Sequence, residues 1–323
     1  MSNNLIKIKD LEVVYQTKKN VFGGIKTIHA VNGVSLDIKK GEILAIAGES
    51  GCGKSTLAKA VMRLVDVKSG EIRLGDKNIL TLKKREDLKH FYQKVQMIFQ
   101  NPYSSLNPKM QIGQILREPL EINTKLSKIE IDKIVEDKLN KVGLDKSILK
   151  LYPHEFSGGQ RQRIAIARSL VLSPEFIIAD EPVSALDVSI QAQIINLLKQ
   201  LKDDFNLTFL FISHDLSVIK YLSDRIAIMY LGEIIELGNT EEIFSTPKHP
   251  YTKALLSAVP ELSSNTTTKE QIKLQGELPS VEDLPQGCKF HTRCPFATEK
   301  CKTDIPPISN FSTSHYCKCF LYE

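Results

Sequence analysis

Residues 48–56 constrain the fold of this chain more than any other stretch. They read GESGCGKST and follow the apolar run Ile43–Ala47. Two glycines separated by four residues and followed by Lys and Ser match the phosphate-loop pattern, which lies between a buried strand and a helix. Such glycines let the backbone turn tightly, so that successive N–H groups converge on an anion at the helix N-terminus. The stretch therefore predicts an α/β fold with a phosphate-binding loop.

The side chains of this loop have expected roles in binding a nucleoside triphosphate. Lys54 is expected to reach the β- and γ-phosphates, and the Ser55 hydroxyl to bind Mg²⁺. Further nucleotide contacts are expected from Gly48, Ser50, Gly51, Gly53 and Thr56. From average composition, such a pattern recurs by chance in a chain of this length only about one time in a hundred, which disfavours a purely structural turn.

The composition is that of an ordinary globular protein. Of the 323 residues, 42% are hydrophobic and 25% are charged, and the net charge is +5. Because Lys and Arg are not clustered, this mild charge does not indicate nucleic-acid binding. No apolar run approaches the roughly 18 residues that a membrane span needs, and the first residues lack a basic and apolar leader. We therefore expect no membrane insertion or export signal in this sequence.

A second apolar run ends in two carboxylates. Phe176–Ala179 is continuously apolar, as expected of a parallel strand buried on both faces, and Asp180 and Glu181 follow it. Asp180 is expected to complete the Mg²⁺ shell, and Glu181 to polarise the attacking water. The alternative is that both carboxylates only cap the turn at Pro182, which the phosphate loop upstream makes less favourable.

Three more side chains are candidates for the nucleotide site. Tyr15 follows an expected strand and can stack on a purine, or it can simply pack beneath the next loop. Gln100 ends a strand, where its amide can ligate Mg²⁺ and position the attacking water. His214 ends another strand and can contact the γ-phosphate. Taken alone, Gln100 and His214 would more often be ordinary surface residues.

The segment after Gln100 is polar and has helical periodicity. The periods over 112–120 and 129–142 predict a helical insertion, at about 101–170, in a mostly parallel, three-layer α/β core. The insertion closes with a Ser-Gly-Gly-Gln run that leads into a helix over 161–172. The run, a second candidate anion site, consists of Ser157, Gly158, Gly159 and Gln160. A Ser at a helix N-terminus is common, so this signal alone is weak.

The order of these motifs resembles the nucleotide-binding subunit of an ABC transporter over residues 5 to about 250. The resemblance implies a phosphate-loop ABC domain with a mixed sheet core, an N-terminal antiparallel β subdomain and a helical subdomain. It implies that Tyr15 stacks on adenine and that Glu181 is the catalytic base. It further implies that Gln100 meets the membrane partner and that His214 keeps its place at the γ-phosphate.

The same resemblance implies that ATP binds at the interface between two ATPase subunits. Ser157–Gln160 corresponds to the signature motif, which in this family serves the phosphate loop of a partner subunit. Residues 48–56 would then be half of a site. Phe156 stands where the family usually has Leu, a small departure.

Further stretches resemble the oligopeptide/dipeptide importer branch of that family. The branch as a whole is resembled by residues 100–108 and 249–256. Its F-type ATPases, OppF and DppF, are resembled by residues 16–27 and 184–197. The resemblance implies ATP-driven peptide import at the cytoplasmic face of the cell membrane. The implied partners are a D-type ATPase, two membrane permeases and an extracellular or periplasmic peptide-binding protein.

Other functions remain open on the sequence alone. Importers of nickel, heme or glutathione share these motifs. A soluble ABC ATPase that acts on nucleic acid or ribosomes fits less well, because the chain has neither a long coiled-coil insertion nor a second phosphate loop. The signature motif argues against a phosphate-loop kinase.

Five of the six cysteines lie in the last 36 residues. Thiols clustered in this way indicate metal binding rather than disulfides. Their spacing matches no common zinc ribbon, and the resemblance associates such an extension with an iron–sulfur cluster. The expected ligands of a 4Fe–4S cluster are Cys288, Cys294, Cys301 and Cys317, with Cys319 and His291 as spares. Zinc and unliganded thiols are the alternatives.

The domain boundary is expected near residue 255. Residues 1–255 would form the ABC ATPase domain, and residues 256–323 a C-terminal extension with the cysteines. The extension would begin with a Ser/Thr/Asn-rich linker over 263–268, followed by a short strand over 271–274.

Overall fold

The computed structural model describes residues 4–18, 25–101, 105–258, 272, 276 and 279–323. The expected linker over 263–268 and most of the expected strand over 271–274 lie outside the described residues. The chain divides into two compact units. We call Ile38–Ile43 and Lys77–Ser213, with the first residues of the chain, the helical unit. We call Ile6–Asp37, Leu44–Asp76 and His214–Glu323 the phosphate-loop unit.

The elements follow in chain order. The strands are β1 (Asn4–Lys18), β2 (Ile25–Lys39), β3 (Ile43–Ala47), β4 (Ser69–Leu74), β5 (Lys77–Asn78), β6 (Val95–Ile98), β7 (Phe176–Asp180), β8 (Thr208–Ile212), β9 (Arg225–Tyr230), β10 (Glu233–Asn239), β11 (Ile308–Asn310) and β12 (Tyr316–Lys318). The α-helices are α1 (Lys54–Val61), α2 (Arg85–Lys94), α3 (Ile112–Asn123), α4 (Lys128–Lys141), α5 (Gly158–Leu170), α6 (Val188–Phe205), α7 (Leu216–Leu222), α8 (Thr240–Ser245), α9 (Pro250–Ser257) and α10 (Glu299–Thr303). Short 3₁₀ turns cover Ile79–Thr81, Lys146–Lys150, Pro153–Glu155, His291–Arg293 and Phe320–Tyr322.

The helical unit is built on three parallel strands. β6 pairs with β7, and β7 pairs with β8, with Asp180 opposite Ile212. All five residues of β7 and all five of β8 are buried, which explains why both strands are apolar apart from Asp180 and Thr208 at their ends. Helices α3, α4 and α5 lie within residues 101–170, where the sequence predicts a helical insertion.

Helix α5 begins three residues before the expected start because its N-terminus is capped. Ser157 accepts the Gln160 N–H at 3.3 Å, and the Gln160 side-chain oxygen accepts the Ser157 N–H at 3.1 Å. This reciprocal pair satisfies two backbone donors that a helix start leaves unpaired. The cap therefore fixes the backbone of the Ser-Gly-Gly-Gln run as the first turn of α5.

The phosphate-loop unit contains a mixed sheet and an antiparallel sheet. In the mixed sheet the strand order is β11-β12-β10-β9-β3. β3 and β9 are parallel, whereas the β9–β10, β10–β12 and β12–β11 pairs are antiparallel. In the antiparallel sheet β1 lies between β2 and β4. Strand β1 ends at Lys18 and strand β2 begins at Ile25. The expected α/β architecture with an N-terminal antiparallel sheet is confirmed.

Each unit buries apolar side chains of its strands and helices, such as Ile178 and Leu210 in the helical unit and Ile46 and Ile228 in the phosphate-loop unit. Within the described part of the chain, no helix combines the length and the apolar character that crossing a bilayer requires.

Candidate functional site

The phosphate loop connects β3 to α1, and two of its glycines are required by their surroundings. Gly48 has φ +156°, and a Cβ at this position would lie 2.2 Å from the Met229 carbonyl oxygen. Gly53 has φ +106°, and its Cβ would lie 2.1 Å from the Ala30 carbonyl oxygen. Both neighbours are backbone atoms of other strands, which cannot move aside. The loop is therefore held against β2 and β9 by close backbone contact.

Lys54, the first residue of α1, is folded back onto its own loop. Its Nζ donates to the Gly48 carbonyl at 2.8 Å and to the Glu49 carbonyl at 2.9 Å, and the side chain is 4% exposed. The ammonium group is thus already held at the loop by two backbone carbonyls. A cation and a helix N-terminus at one point form a site suited to a phosphate group.

Substitution of Gly53 by alanine is expected to abolish ATP binding, because the new methyl group would collide with the Ala30 carbonyl. The measurement is equilibrium binding of a fluorescent ATP analogue together with thermal unfolding. Gly33 is a matched control: it has φ +64°, but a Cβ there meets nothing within 4 Å. Gly33→Ala should cost only about 1–2 kcal/mol of stability from its backbone conformation and leave ATP affinity unchanged. Wild-type affinity in Gly53→Ala would contradict the requirement for close backbone contact.

In the helical unit, Gln100 and Glu181 form a hydrogen-bonded pair. The Gln100 amide donates to a Glu181 carboxylate oxygen at 2.9 Å. Glu181 follows β7 directly and has φ +46°, a left-handed conformation that is uncommon for this residue type. Its N–H donates to the Ile212 carbonyl at 2.9 Å, which holds this conformation. Non-glycine residues in such conformations occur preferentially at functional sites.

The Ser-Gly-Gly-Gln run packs against the start of α6 in the same unit. A Cβ on Gly159 would lie 2.5 Å from a methyl carbon of Ile190, and one on Gly158 would lie 3.4 Å from Leu186. The two glycines therefore allow α5 and the segment over 186–190 to approach closely. The N-terminus of α5, the second candidate anion site, therefore lies beside this segment.

The expected nucleotide residues are divided between the two units. Tyr15, residues 48–56 and His214 belong to the phosphate-loop unit, and Gln100, Ser157–Gln160, Asp180 and Glu181 to the helical unit. Tyr15 lies in β1 with 37% of its surface exposed, which suits a stacking role. Asp180, the last residue of β7, is 5% exposed.

Four cysteines line one cavity of about 170 Å³ in the C-terminal extension. They are Cys288, Cys294, Cys301 and Cys319. Cys317, which the sequence analysis placed in this set, instead lies in β12 opposite Glu236 and is not among the residues that line the cavity. Three of the four expected ligands therefore line the cavity, together with both spares, Cys319 and His291.

The thiols influence one another's protonation. Burial, together with the nearby Cys301, Cys319 and Cys294 thiols, raises the pKa of Cys288 to about 11. A hydrogen bond from Cys317 lowers the pKa of Cys319 to about 7, and the pKa of Cys317 is raised correspondingly. Among the described residues, no group of three or more His, Cys, Asp or Glu side chains is close enough together to hold a single metal ion.

Two side chains that contact the phosphate loop were not assigned a role from the sequence. The Tyr251 hydroxyl accepts the Glu49 N–H at 2.9 Å, and Arg293 forms an ion pair with the Glu49 carboxylate. Arg293 lies 244 positions from Glu49 in the sequence. No periodicity or spacing connects residues so far apart, so only the fold could identify the pair.

Comparison with solved structures places this fold among ATP-binding cassettes. The dimeric post-hydrolysis structure of the cassette MJ0796 with ADP and phosphate superposes with a TM-score of 0.65, at 30% identity, covering 73% of this chain and 98% of that chain. The cbiO1 structure from Clostridium perfringens superposes with a TM-score of 0.64, at 28% identity, covering 76% of this chain and 92% of that chain. The class defined by fold and loop is therefore the ABC-type ATPase.

Sequence comparison identifies the family within that class. Residues 31–184 match the ABC transporter family, and residues 235–301 match the oligopeptide/dipeptide transporter C-terminal region. The oligopeptide transport ATP-binding protein AppF of Bacillus subtilis is 48% identical over 99% of this chain and 98% of its own length. The dipeptide transport ATP-binding protein DppF of Haemophilus influenzae is 49% identical over 98% of this chain and 96% of its own length. The chain belongs to the family of ATP-binding subunits of oligopeptide and dipeptide ABC transporters.

Proposed function

We propose that this chain hydrolyses ATP to power the import of oligopeptides or dipeptides through a heteromeric ABC transporter. The observation that carries the proposal is full-length similarity, at 48% and 49% identity, to ATP-binding proteins of oligopeptide and dipeptide transport. The matched C-terminal region supports the peptide branch rather than the ABC class in general. Residues 1–255 would be the ATPase domain, and residues 256–323 the extension of that branch.

The proposed partners follow from this assignment. They are a D-type ATPase subunit, two membrane permeases and an extracellular or periplasmic peptide-binding protein. The chain would act at the cytoplasmic face of the membrane as a peripheral subunit. Each ATP would lie between the phosphate loop of one ATPase and the Ser-Gly-Gly-Gln run of the other, so that ATP binding closes the pair and hydrolysis reopens it.

The proposed roles within the ATP site are those expected from the sequence. Lys54 holds the β- and γ-phosphates, and Ser55, Gln100 and Asp180 hold Mg²⁺, which would neutralise phosphate charge. Glu181 takes a proton from the attacking water, and the hydrogen bond from Gln100 orients its carboxylate. His214 contacts the γ-phosphate, and Tyr15 stacks on adenine. The remaining loop contacts come from Gly48, Ser50, Gly51, Gly53 and Thr56.

The test of the transport role is co-purification and reconstitution. The tagged full chain is expected to co-purify with two integral membrane proteins and a second ATPase. By itself it should bind ATP but turn it over slowly, and addition of the partner ATPase should raise turnover. Association with ribosomes or nucleic acid in place of membrane proteins would refute the transport role.

We further propose that the cysteine cavity holds a 4Fe–4S cluster on Cys288, Cys294, Cys301 and Cys319. The donor set fits, because four thiols around one cavity of about 170 Å³ are the ligands such a cluster requires. When bound, the cluster would cross-link the loop over 288–301 to the end of the chain. The chain's own contribution is to hold Cys288 in place through its N–H, which donates to the Cys301 carbonyl at 2.9 Å.

Removal of Cys319 is expected to lower the iron content, whereas removal of Cys317 is not. The measurement is iron per chain, with the visible absorption band, in anaerobically purified Cys319→Ala and Cys317→Ala. Cys317 is the matched control because it lies two residues away and is also buried. Loss of iron in Cys317→Ala alone would favour the ligand set expected from the sequence. Colourless, iron-free wild-type protein would rule out the cluster.

A further inference from the structure

A bidentate ion pair joins the C-terminal extension to the phosphate loop. Arg293 Nη1 lies 2.8 Å from one Glu49 carboxylate oxygen, and Nη2 lies 3.1 Å from the other. The Arg293 side chain is 8% exposed and the Glu49 side chain 26% exposed. Two parallel charge-assisted hydrogen bonds in a largely buried position fix both partners more firmly than an exposed ion pair does.

Aromatic packing brings the extension to this point. Phe290, three residues before Arg293, is 1% exposed and contacts Tyr230 and Tyr251, with ring centroids 5.3 Å and 5.4 Å away. Tyr251 in turn accepts the Glu49 N–H. Burial lowers the pKa of His249 to about 3, so its ring stays neutral, and Nδ1 accepts the Tyr251 N–H at 3.0 Å. The extension and α9 therefore hold Glu49 by its side chain and by its backbone.

Glu49 needs such a neighbour because of where its charge lies. The loop binds a polyanion through backbone N–H groups, and a carboxylate on its second residue opposes that binding by like-charge repulsion. A guanidinium at 2.8 Å cancels this charge locally. Lys54 now bonds the Glu49 carbonyl. If Lys54 leaves this carbonyl to bind a phosphate group, the contacts of Glu49 with Arg293 and Tyr251 remain.

We propose that Arg293 is a positioning residue for ATP, which neutralises Glu49 and holds the phosphate loop in its binding conformation. ATP affinity then depends on a residue from the C-terminal extension. This inference rests on ATP binding by the chain, and not on the transported substrate or on the iron–sulfur cluster.

The test measures the ATP dissociation constant of the full chain at low and high ionic strength. Arg293→Met should weaken binding about tenfold at low salt, and the defect should shrink at high salt because repulsion from Glu49 is screened. Adding Glu49→Gln to Arg293→Met removes the unpaired charge and should restore affinity to within about threefold of wild type. Arg293→Lys keeps the charge and should lie between wild type and Arg293→Met.

Arg73 is the matched control, since it pairs with Glu71 at 2.9 Å in the same unit and its side chain is 44% exposed. Arg73→Met should leave ATP affinity unchanged. The proposal fails if Arg293→Met binds ATP like the wild type, or if the double variant remains as weak as Arg293→Met at both salt concentrations. It also fails if Arg293→Lys loses as much affinity as Arg293→Met. These assays use the chain alone, so a failure to transport peptides would not mimic any of these results.

Discussion

Glu181→Gln is expected to lower ATP turnover by about 10²–10⁴-fold while ATP binding persists, since a positioned general base contributes about that much. Glutamine has the same shape and can still bond Gln100, but it cannot take a proton from water. The left-handed backbone at this position is held by the Ile212 carbonyl and is unaffected by the change. The measurement is steady-state phosphate release with the partner ATPase present, beside equilibrium binding of ATP.

Glu175→Gln serves as the control for this experiment. Glu175 lies in the same unit and pairs with Lys94 at 2.6 Å on a half-exposed surface. Loss of that pair should change stability by less than about 1 kcal/mol and leave turnover unchanged. Turnover near the wild-type value in Glu181→Gln would overturn the assignment of the base.

Glu236→Ala is expected to destabilise the phosphate-loop unit by about 3–5 kcal/mol, as breaking a buried charged network does. Glu236 is 0% exposed and accepts the N–H groups of Lys248 and His249 at 2.7 Å and 2.9 Å. His315 Nε2 of the extension lies 2.8 Å from the same carboxylate. Removal of the carboxylate would leave all three groups buried without this partner.

The change is measured by urea unfolding, with Glu241→Ala as the control. Glu241 is exposed on the neighbouring helix α8, and its loss should cost less than about 0.5 kcal/mol. A cost of under about 1 kcal/mol for Glu236→Ala would show that the network contributes little to stability. The reactivity of Cys317, which lies opposite Glu236, gives a second and local readout.

The sequence predicted the phosphate loop and the buried strands well, for a physical reason. A parallel strand covered on both faces is apolar along its length, so Ile43–Ala47 and Phe176–Ala179 can be recognised as buried strands from the sequence. The polar residues that follow each run mark the end of the strand. The ends of helices and strands were predicted less accurately than their positions. Helix α3 continues past Pro119 to Asn123, where the Thr124 side chain caps it by donating to the Leu120 carbonyl at 2.7 Å.

The cysteine site shows the limit of reasoning from spacing. Cys317 and Cys319 are two positions apart, and the sequence cannot tell which of them faces a cavity. The structure distinguishes them because Cys317 lies within β12 opposite Glu236, whereas Cys319 follows the strand and lines the cavity. The contact of Arg293 with Glu49 is of the same kind, since it depends on packing between distant parts of the chain.

The pairing of β12 with β10 gives the C-terminal strands a structural role at the edge of the mixed sheet. Glu236 faces Cys317 and Leu237 faces Tyr316 across this ladder, so the last strands of the chain cover the outer side of β10. If the chain were cut at residue 255, β10 would become an edge strand with unpaired N–H and C=O groups. Such edges pair with other chains and cause aggregation. Strands β11 and β12 thus cover this edge of the sheet, and a chain shortened at residue 255 is expected to need a substitute for them.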